Sequence, residues 1–202
     1  MGYGVTDPNT GRVLWGAILL HWERKLFHFS GVVIPVLYLG AGLGRTWVWG
    51  ILAAITGCLL ALDLLRRFVP GVQERFERRL RLLLDPKDLR GLNGSTLYFG
   101  GCALTVALFG PETAGAGLLA LVVGDPAAAL VGSSVRSPRI GRVSLAGSAA
   151  CFAGAAAACA LVVPWPRALA AGCAAAALEA VAGSKLDNLV IPVGVAGCLG
   201  VL

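Results

Sequence analysis

The sequence predicts an all-α, polytopic integral membrane bundle of six to seven transmembrane helices, with interfacial amphipathic helices and a cytoplasmic N-terminus. Three observations carry this prediction. Apolar residues make up 57% of the 202 positions and charged residues 14%, where soluble domains hold about 25% charged residues. The apolar residues gather in segments close to the roughly 17–25 residues that a span requires. The basic residues alternate by connection. With the N-terminus inside, 15 of the 17 Lys and Arg are cytoplasmic and only Arg45 and Arg167 lie outside, as the positive-inside rule demands. Residues 1–202 read as one membrane-embedded domain.

Met1–Arg12 is a polar, Gly-containing tail, and Val13–His28 is amphipathic, suited to lying in the membrane interface. The spans follow as Phe29–Leu43, Trp47–Leu65, Leu92–Phe109, Ala114–Gly132, Leu145–Val163, Ala168–Ala182 and Leu189–Leu202. Their Gly and Ala content permits the close helix contacts that hold membrane bundles together, and permits a homodimer. Between the second and third spans, Val72–Leu84 places Val72, Phe76 and Leu80 at helical spacing among arginines. That pattern predicts an amphipathic helix on an anionic membrane surface.

Eight basic residues between Arg66 and Arg90 would suit nucleic acid in a soluble chain; here cytoplasmic charge bias is the simpler cause, and no nucleic-acid partner is expected. The six cysteines lie in apolar runs with no C-x-x-C, which fits small hydrophobes better than disulfides or zinc ligands. The Val13–Leu20 run is short, is followed by HWERK and lacks a small-residue cleavage site, so no cleavable signal peptide is expected.

The polar groups of the apolar segments map to one side of the bilayer. Lys25 and His28 precede the first span, Asp63 ends the second, and Asn93 opens the third. Asp125 lies within the fourth, and Arg136, Arg139 and Arg142 follow it. Ser144 and Ser148 begin the fifth, while Glu179, Lys185, Asp187 and Asn188 flank the last inner loop. Ionisable groups in spans are costly and mark functional cavities. In LVVGDPAAALVG, the Gly124-Asp125-Pro126 triplet predicts a broken helix: Asp125 serves as N-cap and a second half starts at Ala127. Such a half-helix presents free N–H groups and a positive dipole end, a phosphate site beside which Asp125 holds a divalent cation. The loop GSSVRSPRIGRVSLAGS adds arginines and serines suited to polyphosphate but no P-loop.

Four blocks together resemble the CTP-dependent lipid-alcohol kinases, the family of dolichol kinase, phytol kinase and the yeast-type diacylglycerol kinase. They are RKLFHFSG (Arg24–Gly31), LRGLNGSTLYFGG (Leu89–Gly101), VVGDPAAALVG (Val122–Gly132) and EAVAGSKLDNLVIPV (Glu179–Val193). Their order and spacing match the family over about 170 residues. The chain departs from the pattern at GRVSLAGS, where Val143 replaces a basic residue and Ala146 a common glutamate.

The resemblance implies transfer of the terminal phosphoryl group of CTP, with Mg²⁺, to the hydroxyl of a membrane lipid alcohol: polyprenol or dolichol, phytol, geranylgeraniol or diacylglycerol. The expected active site faces the cytoplasm. Asp125 and Asp187 hold Mg²⁺ or orient phosphates, supported by Asn188. Arg136, Arg139, Arg142 and Lys185 neutralise polyphosphate, with Ser144 and Ser148 beside them. Lys25, His28 and Asn93 line the site, and Glu179 or Asp63 is the base. Two rivals are a CTP-dependent cytidylyltransferase acting on a lipid phosphate, which would release pyrophosphate, and a small anion transporter with a broken helix.

Overall fold

The computed structural model describes residues 31–80, 91–182 and 186–202. The Val13–His28 segment, with Lys25 and His28, lies outside the described residues, as do Arg81–Leu84 at the end of the predicted amphipathic helix and Lys185. The described chain is predominantly α-helical. Its elements are α1 (Val33–Leu39), α2 (Arg45–Phe68), α3 (Val72–Leu80), α4 (Gly94–Leu108), α5 (Pro111–Leu119), a π-helical turn (Ala120–Gly124), α6 (Asp125–Ser134), α7 (Leu145–Cys159), α8 (Trp165–Val181) and α9 (Asp187–Gly200). A short antiparallel hairpin, β1 (Arg139–Ile140) and β2 (Val143–Ser144), joins α6 to α7. Two helices, Arg45–Phe68 and Pro111–Ser134, are long and apolar enough to cross a membrane.

Local sequence explains most boundaries. Val69 is extended because Pro70 follows it, which ends α2 at Phe68. Gly71 then turns the chain into α3 at φ +79°. The Asn93 side chain caps α4 by accepting the Ser95 N–H at 3.2 Å, and Ser144 caps α7 by accepting the Gly147 N–H at 3.1 Å. Pro111 opens α5 in the first helical turn, where its missing N–H costs nothing.

α4, α5, α7, α8 and α9 bury the core residues Val106, Leu118, Leu121, Ile191, Val195 and Leu199 completely. α9 approaches its neighbours at backbone distance. A Cβ on Gly101 of α4 would stand 2.5 Å from the Asn188 carbonyl oxygen, and one on Gly117 of α5 would stand 2.4 Å from that of Pro192. Only glycine allows these two crossings. Arg45 and Arg167 close one end of the bundle by donating to free helix-end carbonyls. Arg45 reaches Val106 O at 2.8 Å and Ala107 O, while Arg167 reaches Leu199 O at 2.7 Å and pairs with Glu112 at 3.1 Å.

The predicted break in the fourth segment is not there. Pro111–Ser134 runs as one continuous helix. Gly124 (φ −65°, ψ −50°) and Asp125 (φ −63°, ψ −47°) are both helical, and the Asp125 N–H bonds Leu121 O. Proline removes one ladder donor and crowds the carbonyl four residues back; the widened π turn immediately before Pro126 accommodates this without ending the helix. Asp125 is therefore no N-cap, and this helix offers no free dipole end to a phosphate.

Candidate functional site

α4, α7 and α9 begin, and α6 and α8 finish, at the end of the bundle opposite Arg45 and Arg167. There Arg142 on the α6–α7 hairpin donates to Ala182 O just past α8. The hairpin turns tightly because Gly141 takes φ +63°. Its base is closed by the Leu145 N–H to Pro138 O (3.0 Å) and the Ala146 N–H to the Ser137 hydroxyl (3.0 Å).

Beneath the hairpin, side chains from five helices converge. Glu179 of α8 has Asp125 of α6, Asp187 of α9 and Arg142 as its charged neighbours, and the Ser148 hydroxyl of α7 beside it. Tyr98 of α4, only 2% exposed, lies within electrostatic range of Asp125. Cys151, one turn along α7 from Ser148, neighbours both Asp125 and Glu179. Three carboxylates and one guanidinium thus share a partly buried space between apolar helices.

Two oxygens there have no protein partner among the described residues. Glu179 Oε2 and Asn188 Oδ1 are buried and make no hydrogen bond, and Asn188 is only 1% exposed. Buried acceptors are costly when unsatisfied. Both are acceptors, so the complementary guest is a hydroxyl donor or a cation. Asn188 is otherwise fixed: its N–H donates to Asp187 Oδ1 at 2.8 Å and its amide Nδ2 to Gly94 O at 3.4 Å.

The other predicted residues divide. Arg136 and Arg139 are exposed around the hairpin, near Arg142 in sequence. Ser144 is 6% exposed with its hydroxyl committed to capping α7. Asn93 caps α4. Asp63 is 6% exposed and fully engaged: Oδ1 pairs with Arg66 at 2.6 Å, while Oδ2 accepts the Asn93 N–H at 2.9 Å and the Thr96 hydroxyl at 2.6 Å. Among the described residues no group of three His, Cys, Asp or Glu is arranged to hold a metal. Tyr98, Cys151, Thr96 and Arg66 were not singled out by sequence reasoning. Tyr98 and Cys102 share a helical face at i, i+4 spacing, and both are buried. That spacing was the available signal, although it reads equally as ordinary core.

No protein-family model matches the chain, and no solved structure matches it. An uncharacterized protein of Rickettsia prowazekii (strain Madrid E) is 30% identical over 136 residues, which cover 66% of each chain. The chain thus spans about two thirds of the length of the curated relative it matches.

Proposed function

We propose that the chain is an integral membrane phosphotransferase of the CTP-dependent lipid-alcohol kinase type, acting at the cytoplasmic face on the hydroxyl of a membrane lipid alcohol. The observation that carries the reading is the buried Glu179 Oε2, without a hydrogen-bond partner among the described residues, in the neighbourhood of Asp125, Asp187 and Arg142. Phosphoryl transfer requires little beyond positioning, charge neutralisation and an acceptor for the hydroxyl proton.

The membrane setting is supported by the surface of α2. Trp47, Ile51, Leu64, Leu65 and Phe68 are exposed, and only 17% of its most apolar window is buried, against 67% for Pro111–Ser134. Such a face is costly in water and native in lipid. Counting the shorter apolar helices α4, α7 and α9 together with α1 and α8 gives a bundle of six to seven spans. The basic end then faces the cytoplasm.

In this reading the lipid hydroxyl donates to Glu179 Oε2. Its oxygen forms the new bond to the terminal phosphorus of CTP as the bond from that phosphorus to CDP breaks, and the proton passes to Glu179. Glu179 takes the role of base because both oxygens of Asp63 are already engaged. Arg142 neutralises phosphate charge, with Arg136, Arg139 and Lys185 placed by sequence around it; Ser148 orients Glu179. Asp125 and Asp187 are the residues that would hold Mg²⁺, an ion that proteins bind through one or two carboxylates together with substrate phosphates. When bound, the ion would screen the phosphate charge.

The test is a radiolabel assay on purified protein, crossing CTP and ATP with a panel of lipid alcohols. CDP and a phosphorylated lipid are expected, and Asp125→Asn should abolish transfer while staying monodisperse in detergent. Product only with ATP, pyrophosphate in place of CDP, or full activity in Asp125→Asn would each overturn the reading.

A further inference from the structure

Away from the carboxylate cluster, the end of α2 holds a second polar assembly that the transfer step does not use. Asp63 and Arg66 pair at 2.6 Å with side chains 4% and 3% exposed. The Arg66 guanidinium lies 4.3 Å from the centre of the Phe76 ring, which roofs it from α3. Arg66 also reaches Gly91 O at 3.4 Å, in a turn where Gly91 takes φ +94°. The second Asp63 oxygen accepts the Asn93 N–H and the Thr96 hydroxyl. One ion pair therefore grips the segment 91–96 at three points.

A buried ion pair is weak evidence for stability, because desolvation offsets most of its Coulombic gain. A cation–π roof adds only a modest further attraction. What the arrangement sets firmly is geometry. It fixes where α4 begins, and the Gly94 carbonyl in that first turn receives the Asn188 amide at 3.4 Å. Asn188 in turn donates its N–H to Asp187. Gly101 then brings α4 against the Asn188 backbone, with no room for a Cβ. The contacts run without a gap from Phe76 on α3 to Asp187 in the site.

We propose that the Arg66–Asp63 clasp, roofed by Phe76 and gripping Asn93 and Thr96, is a positioning device that sets the depth of Asn188 and Asp187 in the active site. Arg66, Phe76 and Thr96 act through other residues and touch no reactant. The role in turnover rests on the kinase reading; the mechanical coupling of the two helix starts does not.

The test therefore has two arms. Thr96→Val keeps volume and removes one hydrogen bond to a carboxylate, and Arg66→Lys keeps charge while losing the flat fork and the stacking face. Each should lower kcat about tenfold while KM for CTP and for the alcohol stays within about twofold, and Thr96→Ser should restore kcat. In the second arm, amide hydrogen exchange is compared between wild type and Thr96→Val in detergent. Exchange should rise about tenfold at both 93–97 and 188–190, and stay unchanged at 114–119. A rise at 93–97 alone overturns the clasp, as does unchanged kcat in Thr96→Val against an active wild type. If wild type transfers no phosphoryl group, the kinase reading fails and the exchange arm still decides the coupling. Should Arg66→Lys fail to fold, the milder Thr96→Val carries both arms.

Discussion

Replacing Glu179 by Gln should move activity and stability in opposite directions. The change keeps the side chain's shape and removes its charge. Oε2 is buried without a partner among the described residues, and an unsatisfied buried acceptor costs about 1–3 kcal/mol. The same carboxylate faces Asp125 and Asp187, two like charges that an amide would meet with N–H donors. A gain of about 1–2 kcal/mol is expected, and at roughly 2–4 °C per kcal/mol the melting temperature rises by about 2–8 °C. On the proposed kinase reading transfer loses its proton acceptor, so kcat falls about 10²- to 10⁴-fold. The measurements are scanning fluorimetry in detergent and the radiolabel assay at saturating CTP and alcohol. A variant that melts lower and still turns over would show that Glu179 is a structural carboxylate and that the proton goes elsewhere. Loss of both activity and stability would equally defeat the argument, because stability traded for function requires the two to separate.

Two further outcomes follow from the packing and the charge pattern. Gly117→Val places a branched side chain where even a Cβ would sit 2.4 Å from Pro192 O; overpacking of about 1–3 kcal/mol or more should lower the melting temperature by several degrees, and an unchanged melt would mean that α9 can slide. In a cysteine-free background, Ser134→Cys should react with a membrane-impermeant maleimide only from the cytoplasmic side and Thr113→Cys only from the opposite side; the reverse pattern, or labelling of both from one side, would remove the proposed orientation.

Much of the architecture was legible because long apolar helices announce themselves by composition and length. Six of the seven apolar segments hold a helix whose bounds match within about a turn, Phe29–Leu43 holds only the short helix Val33–Leu39, and Val72–Leu80 lies within the predicted amphipathic stretch. Asn93 was readable as the residue opening α4, since Asn before a helix has one dominant use. The clustering of Asp125, Glu179, Asp187, Arg142 and Ser148 follows from the antiparallel succession of helices, which returns those positions to one end of the bundle. What was not legible depended on partners. Asp63 looks like Glu179 in sequence, an acid near the end of an apolar segment, and only the Arg66, Asn93 and Thr96 contacts separate a carboxylate with both oxygens bonded from one whose Oε2 has no partner among the described residues. Ser144 and Ser148 share a residue type and lie four positions apart, yet one hydroxyl caps α7 while the other faces Glu179.

Gly124 shows how one residue choice supports two incompatible local readings and how packing selects between them. Glycine before Asp-Pro suggests a hinge, because glycine tolerates conformations that end helices. Here its backbone is ordinary helix, so the conformational freedom goes unused. Its missing side chain is used instead: a Cβ at this position would lie 3.3 Å from both Ala155 Cβ and Cys151 Sγ. Gly124 is a spacer that lets α7 come against the π turn. Ser148 and Cys151 ride on that face of α7, and α8 packs on α7 through Gly172, whose Cβ would stand 2.7 Å from Phe152 O. The approach of α7 to Asp125 therefore also carries Glu179 toward it. Three carboxylates meet between apolar helices because small residues remove the bulk that would keep them apart, and the helix containing Asp125 must stay continuous to serve as the wall they meet against.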